Sequence, residues 1–444
     1  VYEAAPYVGG MARSFELFGQ RVDCGPHRFF TKQPEVNAFF DELIRNDYVE
    51  VERLTRIYFD GNFYDYPLKI SSVWSNLDPD QIGSIFYSYL LKKLFPEKNP
   101  QTLEDWVSNK FGNELYRMFF KHYSEKLWGI PCSKIDADWA AQRIKSLSLL
   151  ETLKNSLRDN RGRHHSFVDK FRYPVNGSGM LYERAQAMIE QQGGKIHLQR
   201  PAKRLLMDGQ AVIGIEQADG TRIQADHIIS TMPLTLLLKG MPDLPEEVAQ
   251  ASERLYFRNT ILVYLEVAAD DLFEDNWLYI HSPHVRHGRV TNFRNWSPAL
   301  HRDKTSSILC VEFWAFEEDK IWHEEDNQLS RLAEKELRQI DLIPPDIEVL
   351  QSKVVRVPRC YPVYEIGYQE HIQTISTYLK QFQNLQIIGR YGSYKYNNQD
   401  HSILMGLLAA QNVINNKNID LWQINSDKEY HEMNLIQKTD DAER

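Results

Sequence analysis

The chain has 444 residues, of which 42% are hydrophobic and 25% charged, and it carries a formal charge of −9. That length exceeds one ordinary core, so two interwoven domains are expected, and the composition is that of a globular protein. The acidic balance argues against nucleic acid as a partner, because a nucleic-acid binder presents a basic footprint. No apolar run approaches the ~20 residues that span a bilayer, so no transmembrane segment is expected and a cytoplasmic location is the default. Cys24, Cys132, Cys310 and Cys360 are far apart, and neither they nor the scattered histidines have metal-ligand spacing; no metal is expected.

In chain order, Val1–Ala5 reads as the end of a buried strand with Glu3 at its tip. In a dinucleotide-binding βαβ unit, a carboxylate at the end of the second strand accepts hydrogen bonds from a ribose hydroxyl. The first βα unit with its glycine-rich turn would precede Glu3 by about 30 residues and is missing from the chain, which reads as a fragment. Gly9-Gly10-Met11-Ala12-Arg13 follows, then Gly25-Pro26-His27. Glycines let backbone approach a cofactor closely, and Arg13 can pair with a pyrophosphate in bidentate fashion. A helix is predicted over 36–46 and a hairpin over 51–68 with its turn at Asp60-Gly61-Asn62. Helical periodicity then covers 82–94, 102–111 and 114–127, punctuated by Pro96, Pro100 and Pro131. A polar, basic loop is expected at 155–168. A helix over 181–192 ends at Gly193-Gly194.

From Lys195 the pattern becomes short strands, at 195–198, 202–207, 211–217, 221–223 and 225–231, the last stopped by Pro233. Strands at 259–267 and 306–314 suit a second sheet, and a charged helix spans 326–339. A strand at 385–390 stops at Gly389, and a helix follows over 402–413. Asn398, Gln399, Asp400 and Ser402 stand where the N-terminus of that helix offers free N–H groups and the positive end of its dipole. Aimed at the pyrimidine edge of a flavin, it would stabilise the anionic reduced ring. Alone, this reads equally as an ordinary capped helix. A pyrophosphate clamp would draw on Lys126, Arg172, Arg289, Arg294, Tyr361, Tyr394 and Tyr396.

The block Glu3, Gly9-Gly10, Gly25-Pro26-His27 resembles the FAD-dependent superfamily of amine oxidases, protoporphyrinogen oxidase, phytoene desaturases and UDP-galactopyranose mutase. Ile229-Ser230-Thr231-Met232-Pro233 is similar to the superfamily's strand that returns to the cofactor domain. Three further blocks look most like the mutase: Gly25 to Thr31, Tyr123-Ser124-Glu125-Lys126-Leu127-Trp128-Gly129, and Tyr361-Pro362-Val363 with Gly389-Arg390 through Tyr396. The chain departs from the mutase pattern at Phe30, at Asn397-Asn398 and at Asn176, which replaces an arginine.

The resemblance implies an α/β fold: a Rossmann-like, glutathione-reductase-type FAD-binding domain with a helical insertion and a mixed-sheet substrate domain. The FAD-binding domain would be assembled from 1–65, 176–235 and 376–415, the helical insertion being 66–175, the substrate domain 236–375 and a polar tail 416–444. It further implies FAD contacts from Glu3, Gly9, Gly10, Met11, Ala12, Arg13, Gly25, Pro26, His27, Thr231, Gly389, Arg390, Asn398, Gln399, Asp400 and Ser402. Catalytic roles would fall to His27, Arg172 and Arg390, with Tyr123, Lys126, Trp128, Arg172, Arg294, Tyr361, Tyr394 and Tyr396 on the substrate.

Two activities follow as expectations. A mutase-like enzyme isomerises a nucleotide-sugar through a reduced-flavin N5 adduct, for surface polysaccharide synthesis. An oxidoreductase of the amine oxidase, protoporphyrinogen oxidase or desaturase type takes hydride from an amine or hydroaromatic substrate. The first reading wants cations for a diphosphate and the second an apolar, aromatic tunnel. A small-molecule substrate, with nucleotide-sugar favoured, and a second copy in a homodimer are the expected partners.

Overall fold

A computed structural model describes residues 1–68, 70–139, 170–209 and 211–425. The loop expected at 155–168 and the end of the tail, 426–444, lie outside the described residues.

The centre is a seven-stranded mixed sheet in the order Val349–Pro362, Phe257–Val267, Ser307–Ala315, Arg289–Asn292, Trp277–Ile280, Thr55–Phe59 and Asn62–Asp65. Every neighbouring pair is antiparallel except Trp277–Ile280 against Thr55–Phe59. Period-two alternation sorts the side chains of its long strands onto two faces. Ile261, Val263, Leu265, Leu309, Val311 and Phe313 pack with Leu329, Ala333 and Leu337 of the helix Asp326–Gln339. Leu262, Tyr264, Ile308, Cys310 and Trp314 face the other way, into a core shared with the helical residues Leu103, Val107, Leu115 and Leu127. The hairpin at 55–65 turns at Asp60-Gly61, as the sequence predicts.

The helical run comprises Pro79–Leu94, Leu103–Phe111, Asn113–Tyr116 and His122–Trp128. The single helix predicted over 114–127 is interrupted by a π-helical turn at Arg117–Lys121, so the two faces of that segment are offset. Phe119 and Phe120 sit in the turn.

Val1–Ala5 is not a buried strand. It forms one parallel bridge, Tyr2 with His197, held by Glu3 N–H to His197 O at 2.9 Å and His197 N–H to Val1 O at 2.8 Å. Val1 is 68% exposed, because no strand among the described residues pairs with its other edge. A parallel pair, Ile228–Ser230 with Leu385–Ile387, brings the ends of two distant segments side by side. The hairpin of Ser14–Leu17 and Gln20–Asp23 is fastened by Asp23, whose buried carboxylate accepts from Ser14 Oγ (2.5 Å), Tyr173 OH (2.8 Å) and Ser178 N–H (3.1 Å). Burial is the largest influence on that carboxyl and pushes it up to about 7.

Candidate active site

Chain segments from the whole length of the sequence converge on one cavity of about 1020 Å³. The turn of Gly9 through Arg13 lines it, as do Glu3 and Pro26-His27-Arg28. Gly9 and Gly10 have φ of +88° and +55°, which L side chains rarely adopt, and the space a Gly10 Cβ would enter is open. The parallel strand pair delivers Thr231 and Gly389 to the lining, where a Gly389 Cβ would stand 3.8 Å from Thr231 Cβ. Asn398 caps the helix Gln399–Ile414, whose first turn lines the cavity. Gln399 ties that turn to its surroundings: its Oε1 accepts from Ser178 Oγ at 3.1 Å and Tyr182 OH at 2.9 Å, and its Nε2 donates to Arg28 O at 3.2 Å.

In the same lining Arg390 donates from Nε to Cys360 O and from Nη1 to Asn397 O, both at 3.0 Å. Its guanidinium lies 4.7 and 4.3 Å from the ring centroids of Tyr361 and Tyr396, which stack on each other at 5.4 Å. Arg390 Nη2 is buried and has no partner among the described residues, an orphan donor beside the cavity. Arg289 comes from the sheet. It is the register partner of Glu312 and meets its carboxylate in bidentate fashion, at 2.5 and 2.6 Å. His27 Nδ1 lies 3.1 Å from Gly25 O, which can only accept, so Nδ1 carries the proton and Nε2 the lone pair. Burial, then the positive charge of Arg289, holds its imidazole down to about 3, so His27 is neutral at physiological pH.

Much of the rest of the lining is aromatic, with Tyr66, Phe119, Phe120, Tyr123, Trp277, Tyr279 and Trp296. His281 stacks on Tyr123 with centroids 4.6 Å apart, and burial pushes its imidazole down to about 3. Basic residues outnumber acids around the lining, with Arg13, Arg28, Lys32, Arg53, Arg289, Arg359 and Arg390 against Glu3 and Asp400.

The structure brings to this cavity Glu3, Gly9, Gly10, Met11, Ala12, Arg13, Pro26, His27, Tyr123, Thr231, Tyr361, Gly389, Arg390, Tyr396, Asn398, Gln399, Asp400 and Ser402. It places six candidates elsewhere. Arg172 is ion-paired to Asp41, hydrogen-bonded to Asn37 and stacked on Phe40 at 4.5 Å. Arg294 donates to Lys304 O and Ser306 O. Lys126 spends its ammonium on the carbonyls of Ile280, Ser282 and His287, and burial lowers it to about 8. Trp128 is fully buried, Tyr394 OH donates to main-chain carbonyls at Tyr256 and Val363, and Gly25 sits behind His27. Arg28, Lys32, Arg53, Arg359, Tyr66 and Tyr279 line the cavity without having been singled out. Arg53 and Tyr66 are brought beside Tyr279 by the pairing of Thr55–Phe59 with Trp277–Ile280, and Arg28, Lys32 and Arg359 reach the cavity from segments distant in sequence.

This arrangement matches an elongated ligand with a flat ring and a charged middle. Glycine backbone open to the cavity, an orphan guanidinium donor and a helix N-terminus together form the donor set that a flavin dinucleotide needs. Residues 1–414 match the family described as flavin-containing amine oxidoreductases. The fold is similar to that of reduced UDP-galactopyranose mutase, with 20% identity over 96% of this chain and 92% of that one and a TM-score of 0.83. A putative protoporphyrinogen oxidase from Exiguobacterium sp. 255-15 is 15% identical over 92% of each chain, with a TM-score of 0.70. A double mutant of putrescine oxidase is 14% identical over 93% of each chain, with a TM-score of 0.63. The chain therefore belongs to the family of flavin-containing amine oxidoreductases and is an FAD-dependent enzyme.

Proposed function

We propose that the enzyme rearranges an anionic nucleotide-sugar in the manner of a UDP-galactopyranose mutase, in the service of surface polysaccharide synthesis. The observation that supports this reading is the surplus of basic over acidic side chains around the cavity. A dinucleotide diphosphate neutralises two of these charges, and Glu312 neutralises Arg289 from behind. Positive charge is left over for a second anionic ligand.

Within this reading, Glu3 would hold ribose hydroxyls: its Oε1 already accepts from Ala5 N–H at 2.7 Å, which orients the carboxylate. Gly9, Gly10 and Arg13 would receive the cofactor diphosphate, with Met11 and Ala12 in the same turn. Thr231, Gly389 and the helix start at Asn398, Gln399, Asp400 and Ser402 would face the ring end. Bound FAD supplies a nitrogen that, when the ring is reduced, acts as a nucleophile, and when it is oxidised, accepts hydride. Arg390, fixed by two carbonyls and two tyrosine rings, would offer its remaining N–H groups to a developing anion without reorganising. Neutral His27 would accept a hydrogen bond at Nε2 and would carry no charge of its own. Tyr361, Tyr396 and Tyr123 would orient the sugar. Arg172 stays engaged with Asp41, so the catalytic set narrows to His27 and Arg390, joined by Arg289.

The test is to reduce the flavin-loaded protein anaerobically and follow UDP-galactofuranose by chromatography. Conversion to the pyranose by the reduced but not the oxidised enzyme is expected. Absence of conversion with flavin bound rejects the reading. The many aromatic rings in the lining favour a second reading, oxidation of an amine or hydroaromatic substrate. It predicts bleaching of the oxidised flavin when such compounds are added anaerobically.

A further inference from the structure

The strand Val349–Pro362 loses its regular pairing where it reaches the cavity. Its register with Phe257–Val267 sets Val357 against Thr260 and Tyr361 against Arg258, so Pro358, Arg359 and Cys360 stand opposite the single residue Asn259. A bulge of this kind re-aims side chains and is common beside active sites. The sequence supports it locally. Pro358 has no N–H to offer the ladder, and the buried Asn259 accepts from Arg359 N–H through Oδ1 at 2.8 Å. Cys360 ties the bulge to the rest of the lining: its carbonyl accepts from Arg390 Nε, and its Sγ lies 3.1 Å from Met11 Sδ in the glycine turn.

Arg359 itself has a φ of +57°. Glycine adopts that conformation freely and L side chains rarely do, so the backbone alone would be served better by a glycine. Strain of this kind persists where the surroundings over-determine it, and it collects at ligand sites. Among the described residues, Asn425 is the one other non-glycine residue with positive φ that lines the cavity, and asparagine tolerates the left-handed region. Arg359 lines the cavity too, and its guanidinium has no ion pair or hydrogen bond among the described residues. Arg13, by contrast, donates to Gly10 O and lies over the Tyr7 ring, and Arg289 is held by Glu312. An unspent planar cation on a braced backbone, one residue from a contact with the glycine turn, suits bidentate recognition of a phosphate.

We propose that Arg359 is a diphosphate-binding residue, presented to the cavity by this bulge. The diphosphate is that of the cofactor or, resting on the nucleotide-sugar reading above, that of the substrate, and two measurements separate the sources. Arg359→Gln keeps the strained backbone and removes the charge, whereas Arg359→Gly removes both. Each variant is expected to weaken one ligand by roughly 10- to 100-fold, the worth of hydrogen bonds to a charged group. A dissociation constant for FAD raised by that factor, measured by ultrafiltration of the flavin-loaded protein, assigns the residue to the cofactor. Unchanged FAD retention with UDP binding weakened by that factor in calorimetry assigns it to the substrate, whether or not the reduced enzyme converts UDP-galactofuranose. Because both variants lack the cation and only glycine suits the backbone, Arg359→Gly is expected to unfold at no lower urea concentration than Arg359→Gln. Unchanged FAD retention together with unchanged or absent UDP binding overturns the proposal, and so does a glycine variant less stable than the glutamine one.

Discussion

Arg390 is held by two main-chain carbonyls and two tyrosine rings, and each of these contacts depends on the planar fork of a guanidinium. Arg390→Lys keeps the charge but loses the fork, and is expected to weaken flavin affinity by roughly 1.5–3 kcal/mol, the worth of hydrogen bonds to a charged group. Flavin titration with a native circular dichroism spectrum checks this, and unchanged affinity counts against a cofactor role. Glu312 is 1% exposed and carries the counter-charge of Arg289. Glu312→Gln keeps an acceptor but removes the counter-charge of a half-buried guanidinium, and is expected to cost about 1–3 kcal/mol in urea unfolding. His27 is predicted to show no titration of its ring signals by NMR between pH 5 and 8, because its imidazole is held down to about 3. An inflection near pH 6.5 would contradict the neutral assignment. Arg390 was legible as a candidate through the resemblance of Gly389-Arg390 through Tyr396 to a segment of the mutase. The locking of Arg289 by Glu312 was not, since the two are 23 residues apart and meet only through strand register.

The elements around the cavity are positioned by contacts their own sequences do not announce. The start of the helix Gln399–Ile414 was legible from Asn398 and Asp400, yet its aim depends on Gln399 reaching Ser178, Tyr182 and Arg28 O. Gln399→Ala is expected to lower stability by about 1–3 kcal/mol and to lower flavin affinity with it. An affinity equal to wild type would show that the helix is held by its packing alone. A second dependence lies at Gly179, where an added Cβ would stand 2.2 Å from Ser14 N and 2.9 Å from Ser14 Oγ. Ser14 cannot yield without releasing Asp23, so Gly179→Ala should unfold at markedly lower urea than wild type. The interruption at Arg117–Lys121 escaped the sequence, because a π-helical turn keeps the local apolar pattern and changes only which residues share a face.

Across the whole molecule, buried titratable groups set the response to pH. Burial lowers His281 to about 3 and lowers His287 as well, although Glu336 supports the latter. Below about pH 6.5 the unfolded chain takes up protons at these histidines that the native chain refuses, so stability falls as pH drops through that window. Asp23 opposes this: raised to about 7, it is protonated in the native state between about pH 4 and 7 and ionised in the unfolded one. Stability is therefore expected to rise from pH 5 to 7, and more steeply in Asp23→Asn, where the opposing group is gone. A flat or falling urea midpoint over that range would refute the assignment.

What is local or periodic was legible in the residues: the strands expected at 259–267 and 306–314, most helix spans, the turn at Asp60-Gly61, and the glycines and Glu3 that line the cavity. These follow from side-chain period and backbone sterics, which a few neighbouring residues settle. Which cations reach the cavity was settled by the folded chain alone. Arg172 and Arg294 read as clamp residues no less than Arg289, and the difference between them is whether Asp41, main-chain carbonyls or the cavity lies within reach once the chain has closed. Charge neutralisation is a matter of distances of a few ångströms between segments far apart in sequence, and those distances belong to the fold.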